Sequence, residues 1–189
     1  MNKFSFKVTK HKSIFRGRAV NLAVDTLRFP GGKLIEREII YHPGSAVMIP
    51  ILNRDSLILI RQFRYSIGKF IWEFPAGTME PGEKPLSCAK RELEEEIGYR
   101  ARLFRKLATF YPTPGVSTEV MHLYLATGLT KTKSSLEDDE LLSVKVWRIR
   151  DIDRMIRSGK IRDGKTILGF LQLRKIYDGS GSFSQTHHP

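Results

Sequence analysis

Residues 86–97 restrict the fold most, because they must form one amphipathic helix. Their apolar side chains recur every three or four positions, the spacing that places them on one helical face. Pro85 stands where a helix can begin without a backbone N–H, and Gly98 stands where helices commonly end. We therefore predict a helix that packs its apolar face on a core and ends at Gly98. The apolar face consists of Leu86, Ala89, Leu93 and Ile97.

The same helix contains four glutamates at positions 92, 94, 95 and 96. At about 100° per residue, Glu95 and Glu96 lie roughly 60° and 40° to either side of Glu92, whereas Glu94 points elsewhere. Three carboxylates on one face repel one another unless a cation lies among them. Oxygen ligands of this kind suit Mg²⁺ or Mn²⁺. On spacing alone, a merely solvated acidic face is the commoner explanation of such a run.

Alternating apolar and polar residues predict strands before this helix. The alternation is clear at residues 4–9 and 20–25, and residues 34–41 return after the turn Pro30-Gly31-Gly32. Continuous apolar runs at 46–52 and 57–60 indicate central strands. Residues 76–85 are predicted as a loop, followed by the helix, strands at 103–110, 119–126 and 143–149, and helices at 151–158 and 166–177. We predict a mixed α+β domain whose first forty residues form a separate small sheet.

Composition limits the class of protein further. The chain has 189 residues, of which 41% are hydrophobic, which suits one compact domain with a small appendage. Its net charge of +12 attracts polyanions such as phosphates and nucleotides. The single cysteine, Cys88, excludes an internal disulfide and a multi-cysteine zinc site. No secretory signal is visible, and no apolar run approaches the roughly 20 residues needed to span a bilayer, so we expect a cytoplasmic location.

One segment matches a known family pattern. Gly77, Glu83 and the run Arg91-Glu92-Leu93-Glu94-Glu95-Glu96-Ile97-Gly98-Tyr99 agree with the Nudix hydrolase signature at every fixed position. The chain therefore resembles the Nudix hydrolases. The resemblance implies an α/β/α sandwich with a mixed sheet, which agrees with the α+β class predicted above. It also implies hydrolysis of a nucleoside diphosphate linked to another group, with divalent metal ions.

The resemblance also implies roles for individual residues. Glu92, Glu96 and the main-chain carbonyl of Ala76 would be the main metal ligands, with Glu95 in support. Arg91 would be an orienting cation that pairs with Glu83 or with a helix carboxylate. An ordinary pair between residues 91 and 95, four positions apart, is compatible with that role.

Segments outside the signature resemble the ADP-ribose pyrophosphatase branch, which cleaves ADP-ribose to AMP and ribose 5-phosphate. They are Arg61-Gln62-Phe63-Arg64, Trp72-Glu73-Phe74-Pro75-Ala76-Gly77, Tyr111-Pro112-Thr113-Pro114-Gly115 and Ile161-Arg162-Asp163-Gly164-Lys165-Thr166. We expect residues 1–42 to form a β subdomain that mediates dimerisation and residues 43–178 to form the Nudix hydrolase domain. Residues 179–189 are expected to form a disordered tail.

In that branch a second acidic patch activates water. Here it would be Glu137-Asp138-Asp139-Glu140. Glu140 is the first choice for general base or extra metal ligand, and Asp138 is the second. The branch often has Glu at both places, so Asp138 is a departure that leaves the assignment open. A solvated acidic loop is the alternative.

Substrate contacts are also implied by the branch. Arg37 and Arg64 match positions that contact substrate, and Arg37 would reach across from a partner subunit of a homodimer. A guanidinium binds phosphate through paired hydrogen bonds. Pro114 and Gly115 would shape the loop beside the terminal ribose. Taken singly, each arginine is as readily an ordinary surface charge.

Two other functions stay open at this point. The same site could act on another nucleoside diphosphate sugar, a dinucleoside polyphosphate or FAD. A Nudix fold could also serve as a nucleic-acid-binding module, which the charge of +12 motivates. Binding modules tend to lose metal ligands, whereas every carboxylate of the signature is present here. The sequence therefore favours an enzyme acting on a small nucleoside diphosphate, with Mg²⁺ or Mn²⁺ as cofactor, over a nucleic-acid or membrane partner.

Overall fold

The computed structural model describes residues 5–17, 20–134 and 141–179. These residues divide into two units. One holds the described residues up to Gly44 together with Tyr111–Val120, and the other holds Ser45–Phe110 and the described residues from Met121 onward. No helix among the described residues is both long enough and apolar enough to cross a membrane.

The first unit contains a three-stranded antiparallel sheet in the order β1-β2-β3. The separate small sheet predicted from the sequence is confirmed. Its central strand buries Ala23 and Asp25, whereas every residue of the first strand is exposed. The loop at 111–120 joins this unit because Ile40 exchanges backbone hydrogen bonds with Val116 and Thr118. The strands are β1 (Lys7–Arg16), β2 (Asn21–Arg28) and β3 (Leu34–Tyr41).

The second unit contains a mixed sheet of seven described strands. Five of them run in the order β10-β5-β4-β9-β8, and β4 and β9 are the parallel pair. β6 pairs with β5 and β7 pairs with β4. The strands are β4 (Ser45–Asn53), β5 (Ser56–Arg64), β6 (Lys69–Glu73), β7 (Ala76–Thr78), β8 (Tyr99–Phe110), β9 (Met121–Lys131) and β10 (Leu142–Arg148), with a short 3₁₀ turn at Tyr65–Ile67.

Helices cover both faces of this sheet, as the sandwich prediction requires. Successive residues of β4 and β5 point to opposite faces and divide the core in two. Ala46 and Ile58 pack with α1, whereas Val47 and Leu57 pack with α2 and α3. The helices are α1 (Pro85–Ile97), α2 (Ile149–Arg157) and α3 (Gly164–Gly179).

The predicted start and end of α1 are confirmed. Pro85 occupies the first turn, and Gly98 adopts φ 68° while its N–H bonds to the carbonyl of Glu94 at 2.9 Å. That left-handed conformation favours glycine. Helix α1 buries Cys88, Ala89, Leu93, Glu96 and Ile97. Glu96 is the one charged residue among them, and it lies where the buried face of the helix meets the face that carries the glutamates.

The loop predicted at residues 76–85 is wrong in its first three residues. Strands β4 and β5 pair near Ile51 and Leu57 and then separate, so that β6 and β7 fill the opening. Ala76–Thr78 therefore forms β7 against β4. A strand of three residues with a central glycine is too short to show the alternation of apolar and polar residues that predicts a strand. Pairing with β4 therefore places Ala76 and Gly77 beside the glutamates of α1.

Candidate active site

Arg91 organises the carboxylates of α1. Its Nη1 donates to Glu92 at 2.7 Å and to Glu95 at 3.0 Å. Its Nε and Nη2 donate to the two oxygens of Glu83 at 3.1 and 2.9 Å. Nη2 also donates to the carbonyl of Thr78 at 3.2 Å. One guanidinium thus joins Glu83, which precedes the helix, to two carboxylates on the helix. The predicted pair between Arg91 and Glu83 is present.

These contacts keep Arg91 and Glu83 in their charged forms. Hydrogen bonds from Arg91 lower the pKa of Glu83, although its burial acts in the opposite direction. Hydrogen bonds to Glu83 and the charge of Glu92 raise the pKa of Arg91, against the effect of burial. Arg91 therefore stays cationic and Glu83 stays ionised. The ionic hydrogen bonds among them are of the strong, charge-assisted kind.

Gly77 is required by the position of Glu92. A Cβ placed on Gly77 would lie 1.8 Å from Cδ and 1.9 Å from Oε1 of Glu92. The Glu92 carboxylate thus lies directly against the backbone of β7, and any larger residue at position 77 would have to displace it. The glycine that opens the family signature therefore has a steric reason in this chain.

Glu96 lies against the same strand. The residue is 3% exposed, and its Oε2 accepts a hydrogen bond from the backbone N–H of Ala76 at 3.0 Å. Ala76, Glu92 and Glu96, which the sequence predicted as metal ligands, are therefore brought together by α1 and β7. Glu95 is in the same group through Arg91, with 41% of its side chain exposed.

The donor set fits a hard divalent ion. Glu83, Glu92, Glu95 and Glu96 contribute four negative charges against the one positive charge of Arg91. Among the described residues, no three His, Cys, Asp or Glu side chains form a complete metal cage. Mg²⁺ commonly binds through one or two carboxylates and keeps other positions for water and substrate phosphates. Glu92 and Glu96, both next to the backbone of β7, match that pattern.

Cys88 lies in the core beside this group of carboxylates. The residue is fully buried, and its thiol donates a weak hydrogen bond to the carbonyl of Gly77 at 3.5 Å. Burial, followed by the charges of Glu92 and Glu83, raises the pKa of this thiol to about 12. A thiol at neutral pH is a poor nucleophile.

Arg64 is held by a residue to which the sequence analysis assigned no role. Glu73, on the neighbouring strand β6, is fully buried and binds the guanidinium through both of its oxygens at 2.8 and 2.9 Å. Lys165, at the start of α3, also donates to Glu73. A glutamate between the aromatic residues Trp72 and Phe74 was the one sequence signal of a buried ion pair here.

The remaining predicted residues lie in the first unit or outside the described residues. Arg37 lies exposed on β3 of the first unit, where its Nη1 donates to the carbonyl of Glu36 at 2.9 Å. Pro114 and Gly115 lie exposed in the loop of that same unit. Glu140 and Asp138, the two candidates for general base, lie outside the described residues.

Comparisons with known proteins decide the family. The NUDIX domain model matches residues 42–168, which include α1 and β7. The chain belongs to the Nudix family. Every residue of the α1 site in this Nudix protein falls within the match, whereas Arg37 precedes it.

Two curated relatives align with nearly the whole Nudix chain. A methanol dehydrogenase activator from Bacillus methanolicus is 38% identical over 176 residues, 91% of this chain and 95% of that protein. An ADP-ribose pyrophosphatase from Bacillus subtilis (strain 168) is 35% identical over 179 residues, 93% of this chain and 97% of that protein. A crystal structure of an ADP compounds hydrolase has a TM-score of 0.82 at 23% identity, covering 96% of this chain and 99% of that one. The structural match confirms the Nudix fold.

Proposed function

We propose that this Nudix protein is a metal-dependent pyrophosphohydrolase that cleaves ADP-ribose to AMP and ribose 5-phosphate. The observation that carries the proposal is the grouping of the α1 carboxylates: Arg91 binds Glu92 and Glu95, and the backbone of β7 meets Glu92 at Gly77 and Glu96 at Ala76. Such a group serves a reaction in which negative charge must be neutralised at a phosphorus. The ADP-ribose pyrophosphatase from Bacillus subtilis supports this choice of substrate.

Glu92, Glu96 and the carbonyl of Ala76 would hold Mg²⁺ or Mn²⁺. When bound, such an ion neutralises phosphate charge and lowers the pKa of a coordinated water. Arg91 holds the side chains of Glu92 and Glu95 in place. Its bonds to Glu83 and to the Thr78 carbonyl fix the guanidinium itself.

Substrate would be bound by cations outside the carboxylate group. Arg64 has 38% of its side chain exposed and is oriented by Glu73, so its open side would contact the diphosphate. We keep Arg37 as a contact donated by the second subunit of a homodimer, and Pro114 and Gly115 as residues of the ribose loop. A cytoplasmic location remains part of the proposal.

The water-activating base is proposed to be Glu140, with Asp138 as the second choice. The base must accept a proton from the water that attacks the phosphorus opposite the leaving group, and a residue outside the helix could reach that side. If neither residue is the base, Glu95 or Glu96 takes that role.

A substrate panel tests the proposal. ADP-ribose should be hydrolysed with kcat/KM at least about tenfold above ADP-glucose, GDP-mannose, diadenosine polyphosphates and deoxynucleoside triphosphates. A tenfold preference needs only about 1.4 kcal/mol of differential transition-state binding. Faster cleavage of another nucleotide sugar would keep the chemistry and discard the substrate. Salt-sensitive binding of RNA or DNA with no release of AMP would discard the enzyme.

The similarity to a methanol dehydrogenase activator favours a second candidate function, activation of a dehydrogenase. Mixing the chain with a methanol dehydrogenase and following alcohol oxidation tests it. Stimulation that survives in Glu96→Gln would separate this function from hydrolysis at α1. Stimulation that requires Glu96 would make hydrolysis the means of activation.

A further inference from the structure

The α1 site does not account for the excess positive charge of the chain, because the glutamates of that site outnumber its one arginine. The chain as a whole carries 32 Lys and Arg against 20 Asp and Glu. Three of these cations lie over aromatic rings in the unit that contains α1. We call this region the aromatic–cation surface, and its residues are Arg61, Phe70, Trp72, Lys145, Trp147 and Lys160.

Strand pairing places this surface on one face of the seven-stranded sheet. Leu57, Leu59 and Arg61 are alternate residues of β5, so they point to the same face. Helices α2 and α3 cover the two leucines, which are fully buried, and leave Arg61 exposed. The residues paired opposite these three share their face and belong to β6 and β10; they are Trp72, Lys145 and Trp147. The surface therefore lies where the helices stop covering the sheet.

Each cation of the surface is stacked on a ring. Cζ of Arg61 is 4.9 Å from the ring centroid of Phe70. Nζ of Lys145 and Nζ of Lys160 are 4.3 and 5.8 Å from the ring centroid of Trp147. These distances are typical of cation–π contacts. Among the residues that the structure describes, none of the three cations forms an ion pair with a carboxylate. Their charges are therefore available to a negatively charged partner.

Helix α2, which follows β10, shows the commoner arrangement of surface cations. Arg157 pairs with Asp153 at 2.8 Å, and Arg154 pairs with Asp151 at 3.4 Å. These arginines already have carboxylate partners from their own helix. The aromatic–cation surface differs in two respects, since its own six residues include no acid and its cations alternate with rings.

We propose that the aromatic–cation surface binds single-stranded nucleic acid, a function separate from hydrolysis at α1. Phosphates would pair with the cations, and unpaired bases would stack on the rings, of which Phe70 is 48% exposed. A duplex keeps the faces of its bases inside its own stack, so it has no base to offer the rings. An acidic peptide could neutralise the cations but would leave the rings without a partner. The mixture of rings and cations therefore favours a single strand.

The test is fluorescence anisotropy with a labelled single-stranded RNA of mixed sequence. At about 150 mM salt, we expect a Kd of about 10⁻⁵ M or lower, within the range of non-specific nucleic-acid binding. The same sequence as a duplex should bind at least about tenfold more weakly, because its bases cannot stack on the protein. A poly-glutamate peptide is the second competitor and should bind at least as weakly as the duplex.

The cations are tested together in the triple variant Arg61→Gln/Lys145→Gln/Lys160→Gln. Binding should weaken at least about tenfold, and the slope of log K against log salt should fall by about 2, at roughly 0.7 per phosphate contact. A matched control removes the same charge from exposed positions on β8, namely Arg102→Gln, Arg105→Gln and Lys106→Gln. The control should stay within about threefold of wild type.

The rings are tested by Phe70→Leu, which keeps an apolar side chain and removes the aromatic face. Its Kd should rise about tenfold, as expected for the loss of one stacked base. Release of AMP from ADP-ribose should be unchanged in all of these variants, because none of the substituted residues belongs to the α1 site. Circular dichroism confirms that each variant is folded.

Equal loss of affinity in the two triple variants would indicate diffuse electrostatic attraction and would overturn the inference. It would also be overturned if the wild type bound no RNA, if duplex or poly-glutamate bound as tightly as the single strand, or if Phe70→Leu bound like wild type. If the surface triple variant does not fold, Phe70→Leu and the competitors decide by the same limits. A wild type that binds RNA as predicted but leaves ADP-ribose intact would defeat the proposed function alone.

Discussion

The two units differ in how much of their apolar side-chain surface is buried. In the unit that contains α1, strands β4 and β5 are almost wholly buried, and helices cover both faces of the sheet. In the three-stranded sheet, β1 is exposed along its whole length, with Val8 at 56% and Phe15 at 57%. The unit that contains α1 covers its own core, whereas the three-stranded sheet leaves apolar side chains that are suited to contact with a further protein surface.

The largest effect is expected when one predicted metal ligand on α1 is removed. Glu96→Gln or Glu92→Gln should lower kcat at least about 10²-fold, or roughly 2.7 kcal/mol of barrier, because a metal ligand is lost. Glu94→Gln is the matched control. Glu94 lies on the same helix but pairs with Arg100 at 2.8 Å, so its change should stay within about twofold. Steady-state kinetics with ADP-ribose measures all three, and full activity in Glu96→Gln would contradict the assignment.

The second prediction asks whether α1 also supplies the base. Glu140→Gln should lower kcat about 10²-fold and leave KM within a few-fold, as expected for a group that acts mainly in the transition state. Asp138→Asn is the paired comparison. If Asp138→Asn has the larger effect, the two roles are exchanged. If both variants keep kcat, the base lies among the α1 carboxylates and the acidic segment 137–140 is not catalytic.

The third prediction concerns the close contact between β7 and α1. Gly77→Ala should lower kcat about tenfold, because the added Cβ displaces the Glu92 carboxylate while leaving the other site residues unchanged. Gly164→Ala is the control, since a Cβ at that position meets nothing within 4 Å. Equal activity in the two variants would mean that the position of Glu92 does not matter.

The fourth prediction tests the exposed sheet directly. The chain should be a homodimer by light scattering at micromolar concentration, and Ile14→Lys should weaken the dimer about tenfold. Leu103→Lys, a similarly exposed apolar position on β8 of the other unit, should leave the dimer intact. Both positions are exposed, so unfolding free energies should change by less than about 0.5 kcal/mol. A monomeric wild type with full activity would refute the dimer.

The smallest predicted effect is a pH dependence within the three-stranded sheet. The hydroxyl of Tyr41 and the ring of His11, each 2.6 Å from Asp25, outweigh burial and lower the pKa of that carboxyl. The carboxylate therefore stabilises the fold at neutral pH. This contribution begins to fall near pH 4, about the ordinary pKa of aspartate, and is lost as the pH passes below the lowered pKa. Thermal unfolding should show wild type above Asp25→Asn at pH 7, with the two converging as the pH falls below about 4. Glu38→Gln, an exposed change on β3, should show no such convergence.

The sequence predicted the parts of the site that local pattern controls. Pro85, Gly98 and the apolar period define α1, and helical geometry alone groups Glu92 with Glu95 and Glu96. The pair between Arg91 and Glu83 followed from the resemblance and is present at 2.9 Å. These features depend on residues within one short segment, so one segment was enough to predict them.

Longer-range features were missed for a physical reason. β7 is only three residues long, and it exists because β4 and β5 separate and leave room for it. The ion pair between Glu73 and Lys165 joins residues 92 positions apart. Neither the burial of a charge nor its distant partner leaves a periodic signal in the sequence. Both become visible only when the sheet and α3 are in place.

Release of AMP from ADP-ribose tests the central claim most directly. Wild-type protein stripped with EDTA should release no AMP, and added Mg²⁺ or Mn²⁺ should restore release in wild type but not in Glu96→Gln. Ribose 5-phosphate should appear in equal amount, because one pyrophosphate bond is broken. Undiminished release in EDTA, or equal release by wild type and Glu96→Gln at saturating metal, would contradict a metal-dependent site on α1.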